Sequence, residues 1–235
     1  MSNELSFLNR TVLVTGAAGN LGRAVAVAFA ACGANLVLLG RRHDSLVKVF
    51  GEENERCLFA AVDLLDQAQV QQAVAMGIAS FKRIDVLCNM AGGFKMGEPV
   101  HQTSDANWNL LLDLNLRSLL NTVRAVVPQM LDGKGGKVVN VGAAAAQKGA
   151  AGMGAYCAAK SAVIRLTESM SAELRDQSVN VNCVLPSIID TADNRLAMPD
   201  ADRRRWVAPE DLAQVILFLA SPAALAIHGA ALPVG

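Results

Sequence analysis

The sequence predicts an α/β fold, a single doubly wound domain over residues 1–235 built on one parallel seven-stranded sheet. Short β-branched and aliphatic runs alternate with longer Ala- and Leu-rich stretches of helical period, which is the pattern of repeated βαβ units. With 52% hydrophobic residues in a chain of 235, there is enough apolar material for one large core. No low-complexity linker or internal repeat divides the chain.

Strands are expected at Thr11–Thr15, Asn35–Leu39, Cys57–Val62, Ile84–Asn89, Lys137–Val141, Asn180–Leu185 and Ala230–Val234, where aliphatic runs are bounded by Gly, Asn or charge. Helices are expected at 20–32, 66–80, 105–131, 154–176 and 209–220, with a shorter one over 44–50. Pro128 lacks a backbone N–H and is expected to bend or shorten the third long helix. Ala143 to Ala146 directly follow a strand and read as a tightly packed strand end. The segment 187–207, rich in Asp, Arg and Pro, is the one long loop, and loops of that length in compact domains usually carry function. It is the expected substrate loop.

The 21 basic residues balance the 21 acidic ones, so charge gives no support to a nucleic-acid partner. The first ten residues have no basic region followed by a long apolar run, and apolar stretches elsewhere are broken well short of a membrane span. A cytoplasmic protein with no membrane partner is expected. Cys32, Cys57, Cys88, Cys157 and Cys183 are scattered, without a Cys-x-x-Cys pair or a His cluster, which points to buried free thiols and no metal site. Cys157 reads as a small core residue, with a redox handle beside Tyr156 as the alternative.

Thr15-Gly16-Ala17-Ala18-Gly19-Asn20-Leu21-Gly22 follows the first strand and opens the first helix. There a glycine loop lets backbone N–H groups and a helix N-terminus approach a pyrophosphate, the Rossmann form of a doubly wound domain. The alternative is a tight strand-to-helix turn with no ligand. The second strand ends in Gly40-Arg41-Arg42, where an NAD-preferring site would place an acid on the adenosine ribose. Arginine binds the 2′-phosphate of NADP bidentately, so NADP(H) is expected over NAD(H).

Tyr156 and Lys160 are about one helical turn apart and project from one helix face. A free phenol has a pKa of about 10 and is a poor acid or base at neutral pH, whereas a nearby ammonium favours the phenolate. Taken alone, the pair could equally be helix-surface neighbours.

In this order and spacing, the segments resemble the short-chain dehydrogenase/reductase family over essentially the whole chain. The glycine loop is similar to the family's Thr-Gly-x-x-x-Gly-x-Gly, and Asp63 occupies the place of its adenine-binding acid. Asn89-Met90-Ala91-Gly92 is similar to Asn-Asn-Ala-Gly after the fourth strand, and Trp108 to Asn115 resembles the helix bearing the active-site Asn. Pro186 to Thr191 resembles the segment that touches the nicotinamide carboxamide. The resemblance implies an NAD(P)-dependent oxidoreductase whose catalytic residues are Tyr156, Lys160 and Asn115. Toward the cofactor it implies Gly16, Gly19, Asn20, Leu21, Gly22, Arg41, Arg42, Asp63, Asn89, Ala91, Gly92, Tyr156, Lys160, Pro186, Ile188 and Thr191. In the implied roles, Tyr156 supplies the proton, Lys160 tunes it and holds the nicotinamide ribose, and Asn115 fixes a water in the proton path. A homotetramer or homodimer built on the helices at 105–131 and 154–176 is also implied. Leu232-Pro233-Val234-Gly235 resembles a shortened last strand, with a reduced clasp on any neighbouring subunit.

Two departures shape the expectation. Asn20 stands where the family usually has its second Gly, directly after Gly19, which predicts cofactor binding through a somewhat altered turn. Ala143 stands thirteen residues before Tyr156, where the family carries a catalytic Ser, so the donor that would polarise a substrate carbonyl is missing. Dihydropteridine reductases, a subgroup that does without this Ser, are similar to the C-terminal half. The likeness lies in Ala91-Gly92-Gly93-Phe94, in Gly152 to Tyr156 and most closely in Leu185 to Thr191 through Trp206. Those enzymes reduce a polarised quinonoid ring. The expected activity is therefore hydride transfer from NADPH to a carbonyl, quinonoid or pterin-like small molecule, with Tyr156 as proton donor. The alternative, motivated by Ala143, is a dinucleotide-binding protein with weak or lost catalysis, acting as a sensor or subunit partner. Arg195, Arg203, Arg204 and Arg205 either attract an anionic or polar substrate or are solvated surface residues.

Overall fold

The computed structural model describes residues 5–133 and 135–235. The first four residues, part of the segment whose composition argued against a leader, lie outside the described residues. Seven strands, β1 (Thr11–Thr15), β2 (Asn35–Gly40), β3 (Cys57–Ala61), β4 (Val86–Asn89), β5 (Gly136–Val141), β6 (Val179–Pro186) and β7 (Ala231–Val234), form one sheet. Their order is β3-β2-β1-β4-β5-β6-β7, with every neighbouring pair parallel. The winding reverses between β1 and β4, which opens a crevice at the C-terminal ends of those strands.

The helices are α1 (Asn20–Ala31), α2 (His43–Phe50), α3 (Gln67–Phe81), α4 (Asp105–Leu112), α5 (Ser118–Asp132), α6 (Gly154–Leu174), α7 (Ala192–Ala197) and α8 (Pro209–Ala220). Successive strand residues point to opposite faces, and both faces are covered. Val12, Val14, Leu36, Leu38 and Val86 share a core with α1 and α8, whereas Leu13, Val37, Leu39 and Leu87 share one with α3 and α5. Burial on both sides is why these strands read as continuous apolar runs without polar alternation.

Three expectations change. The helix expected over 105–131 is interrupted by a π turn at Asp113–Arg117, which contains Asn115. Pro128 neither shortens nor ends α5, which continues to Asp132. Pro128 and Arg124 are both exposed, so the carbonyl that loses its helical donor faces water. The 187–207 segment is not structureless: it contains α7 and a 3₁₀ turn at Arg203–Arg205, and Ile189 bridges in parallel to Val207. Its start is tied down by Ser187 N–H donating to Val234 O (2.9 Å) and Ser187 Oγ donating to Arg205 O (2.8 Å).

Strand β4 begins two residues later than expected, after Asp85, whose buried carboxylate joins the lower ends of β1 and β4. One oxygen accepts from Arg10 (2.8 Å) and lies 2.7 Å from Arg83 Nε, and the other accepts from Thr11 N–H (2.9 Å). Ion pairs on both sides plus a backbone donor are what a buried carboxylate requires.

Candidate active site

Gly16 leaves β1 at φ +60°, and a side chain there would place Cβ 2.9 Å from Ala91 Cα, so only glycine lets the loop lie against the segment after β4. Ala91 N–H donates to Thr15 Oγ1 (3.0 Å), joining the two segments across the crevice. At Gly22 an added Cβ would sit 2.2 Å from Gly16 O, because the first turn of α1 packs directly on the loop. Gly19 is the N-cap in extended conformation (φ −78°, ψ 166°), a geometry open to any residue, and Asn20 is the first helical residue. The altered turn expected from Asn20 thus leaves the helix entrance regular. No side chain caps that entrance and no acid lies in its first turn, so its N–H groups and positive dipole end suit a pyrophosphate. Leu21 is buried in the core beneath, so its side chain supports the loop and only its backbone can face a ligand.

Arg41 and Arg42 follow β2 with exposed side chains, and Arg42 Nε donates to Ser45 Oγ (3.3 Å). Asp63, just past β3, is exposed and accepts from Leu65 N–H (2.9 Å), a turn that holds its carboxylate at the rim. Asn89 is placed differently from what a direct cofactor contact requires. Its side chain turns inward, donating to Asn140 Oδ1 (2.9 Å) and accepting from Thr122 Oγ1 (2.7 Å), while Asn140 donates on to Thr167 Oγ1 (2.9 Å). This buried polar chain links α5, β4, β5 and α6, and its members are satisfied by one another. Asn89 therefore holds the strand ends that present Ala91 and Gly92, and any ligand contact it makes is through its backbone.

Lys160 is 5% exposed, and its ammonium donates to Val141 O at the end of β5 (2.8 Å). Asn115 and Gly92 are close by: a Cβ on Gly92 would lie 2.9 Å from Asn115 Oδ1 and 3.3 Å from Lys160 Nζ. The Asn115 amide is fully engaged with backbone, donating to Gly93 O and Leu111 O (2.9 Å each) and accepting from Gly93 N–H (3.1 Å). It fixes the loop after β4 to the π turn. Tyr156 is half-buried one turn before Lys160, and the ring of Phe94 meets it edge to face at 4.9 Å.

The phenol responds to this setting in the direction opposite to expectation. Burial first, and the neighbouring Cys157 second, push Tyr156 up to about 12. Lys160 goes down to about 8 through burial, partly opposed by Cys183. The ammonium is held by Val141 O and makes no hydrogen bond to the phenol, so desolvation outweighs attraction. The displacement of Lys160 from 10.5 to about 8 corresponds to roughly 3 kcal/mol of bias against the charged form. The folded chain then binds this proton less tightly than the unfolded chain, so the group's contribution to stability improves as pH rises from about 8 to 10.5. Lys160→Met is accordingly expected to raise the melting temperature at neutral pH while removing turnover. A lower melting temperature would mean that the bond to Val141 O outweighs the burial penalty.

Ala143 is buried at the start of a 3₁₀ turn and offers no hydroxyl. The nearby hydroxyl of Ser161 donates to Ala146 O (2.7 Å) and does not replace it. Pro186 ends β6 buried, Ile188 is exposed with its carbonyl accepting from Val207 N–H (2.9 Å), and Thr191 Oγ1 caps α7 by accepting from Asn194 N–H (3.2 Å). Of the arginines in this segment, Arg195 pairs with Asp190 (2.5 Å), Arg204 with Asp202 (2.6 Å), and Arg203 lies over the Trp206 ring. Three of the four are thus neutralised or stacked locally, which removes the basis for a broad anion-attracting field. Asn107 and Asn140 are site-shaping residues that sequence reasoning missed, and Phe94, though part of the segment similar to dihydropteridine reductases, was given no role there.

The short chain dehydrogenase family model matches residues 10–201. The dehydrogenase subunit BbsD of Thauera aromatica, named for (2S)-[(R)-hydroxy(phenyl)methyl]succinyl-CoA, is 32% identical over 223 residues, spanning 90% of this chain and 89% of that one. The NADP-dependent 3-hydroxy acid dehydrogenase YdfG of Salmonella typhi is 29% identical, over 89% of this chain and 88% of its own. Carveol dehydrogenase from Mycobacterium avium, solved in complex with NAD, superposes with a TM-score of 0.84 at 28% identity, over 97% of this chain and 96% of that one. The matched span runs from the glycine loop, through the Tyr156 and Lys160 turn, well into the 187–207 segment; the chain belongs to the short-chain dehydrogenase/reductase family of oxidoreductases.

Proposed function

We propose that this chain is an NADP-preferring reductase in which Tyr156 protonates a carbonyl, quinonoid or pterin-like acceptor. The observation that carries the reading is a half-buried phenol, pushed up to about 12 and so protonated at neutral pH, one turn from a buried ammonium at the mouth of the crevice. Such a phenol carries its proton at neutral pH, the form a reduction needs, and as a weaker acid than a free phenol it gives that proton only to a substrate atom that has become strongly basic in the course of reduction. When bound, NADPH supplies the hydride. The residues present fit it: the Gly16 loop and the entrance of α1 for the pyrophosphate, Arg41 and Arg42 for the 2′-phosphate, and Asp63 for the adenine. Lys160 would hold the ribose, and Pro186, Ile188 and Thr191 would border the nicotinamide.

Asn115 serves this reaction by anchoring Gly93, with its amide groups already engaged. Ala143 presents a methyl where an oxyanion donor would stand, so the site suits an acceptor whose ring or neighbouring groups already polarise the reacting atom. The proposal extends to a cytoplasmic homodimer or homotetramer. Five free cysteines and the exposed apolar Trp108 and Leu110 on α4 support it. Sedimentation as a monomer at micromolar concentration would remove that part.

Ala143→Ser tests the substrate reading. Steady-state rates with NADPH on dihydropterin, quinone and simple ketone panels should show the wild type turning over polarised acceptors and the variant gaining activity toward simple ketones. Robust simple-ketone reduction by the unmodified chain would contradict the specialised site. The second reading, lost catalysis, rests on the same missing hydroxyl; NADPH binding without turnover on any acceptor would favour it.

A further inference from the structure

We infer that Asn107 is a positioning residue: it latches the loop after β4 and so keeps Phe94 packed over Tyr156. This rests on the reading of Tyr156 as the proton donor. Asn107 lies in the first turn of α4, and both ends of its amide reach back to the loop. Its Oδ1 accepts from Lys95 Nζ (2.5 Å), and its Nδ2 donates to Glu98 Oε1. The other Glu98 oxygen accepts from Ser104 N–H (3.2 Å), while Ser104 Oγ caps α4 by accepting from Asn107 N–H (3.3 Å). One side chain thus closes residues 95–104 into a ring of polar contacts.

Two further ties flank the same loop. Gly97 N–H donates to Gly152 O (2.9 Å), in the segment leading into α6, where Gly152 sits at φ +70°. On the other side, Asn115 grips both backbone groups of Gly93. Phe94 lies between these fastenings. It is 57% exposed, so burial of its own surface does not account for its place, yet its ring stands at 89° to Tyr156 with centroids 4.9 Å apart. The polar ties hold an exposed aromatic ring on the reacting phenol.

The consequence is chemical. A ring packed on the phenol excludes water, and water is what stabilises a phenolate. The titratable groups that bear on Tyr156 are Cys157 and Lys160 on α6 and, through Lys160, Cys183 on β6, while Lys95, next to Phe94 in the loop, is held by Asn107. Opening the latch hydrates the phenol and lets it ionise at lower pH, a change that the phenol's own absorbance reports.

Tyr156 is the single tyrosine of the chain, so phenolate absorbance reports it alone, without a substrate or cofactor. Alkaline titration of the full chain, with circular dichroism on the same samples, should show several-fold more phenolate at about pH 10.5 in Asn107→Ala and in Phe94→Leu than in the wild type. Asn107→Asp keeps the acceptor for Lys95 and loses the donor to Glu98, and is expected to fall between. Superimposable titrations for wild type and Asn107→Ala overturn the latch. If Asn107→Ala loses its fold at alkaline pH, Phe94→Leu decides, since an unchanged titration there means that Phe94 does not shield the phenol. Retained turnover in Tyr156→Phe would instead remove the proton-donor reading and leave the titration result standing.

Discussion

Tyr156→Phe is expected to lower reductive kcat by about 10²- to 10⁴-fold, the range for losing a positioned general acid, while the cofactor Kd stays nearly constant. Only one oxygen is removed, and the ring contact with Phe94 survives in the variant. The pH profile adds a second check. In the proposed reaction the phenol acts protonated and Lys160 charged, so activity should decline first as pH rises through about 8, where the buried ammonium loses its proton, and only later through the phenol near 12. A profile flat from pH 7 to 10 would show that the Lys160 charge is not required. Near-normal turnover by the Phe variant on an established acceptor would remove Tyr156 from the mechanism.

Arg41→Asp is expected to reverse cofactor preference, with the ratio of NADPH to NADH affinity swinging by about 10²-fold or more. The exposed guanidinium at the end of β2 is replaced by a carboxylate that repels a 2′-phosphate and accepts from a free ribose hydroxyl. The change lies on an exposed residue outside the sheet, so the melting temperature should hold within a few degrees. Fluorescence titration of both cofactors checks it, and equal affinities in the unmodified chain would end the argument for NADP preference. Arg42, with a bond to Ser45, makes a smaller contribution that a matching Arg42→Ala titration would measure.

What could be read from the sequence was whatever is encoded locally or periodically. The alternation of apolar runs and helical stretches specifies a parallel, doubly wound sheet, because buried strands and their covering helices have different hydrophobic periods. Gly16 and Gly22 mark the turn after the first strand, where the structure shows contacts too close for a side chain, and Tyr156 and Lys160 share a helix face because four residues make about one turn. The tertiary structure decided what depends on distant partners. Asn89 faces Asn140, 51 residues away, and so builds the scaffold, while Asn115 occupies a π turn and grips Gly93. The charges of Arg195 and Arg204 are met by Asp190 and Asp202, and Phe94 comes to rest on Tyr156 from another segment. The direction of the phenol's ionisation belongs to this second class, since a pKa is set by the groups and the water around a side chain, and sequence spacing names one neighbour without saying what covers the rest.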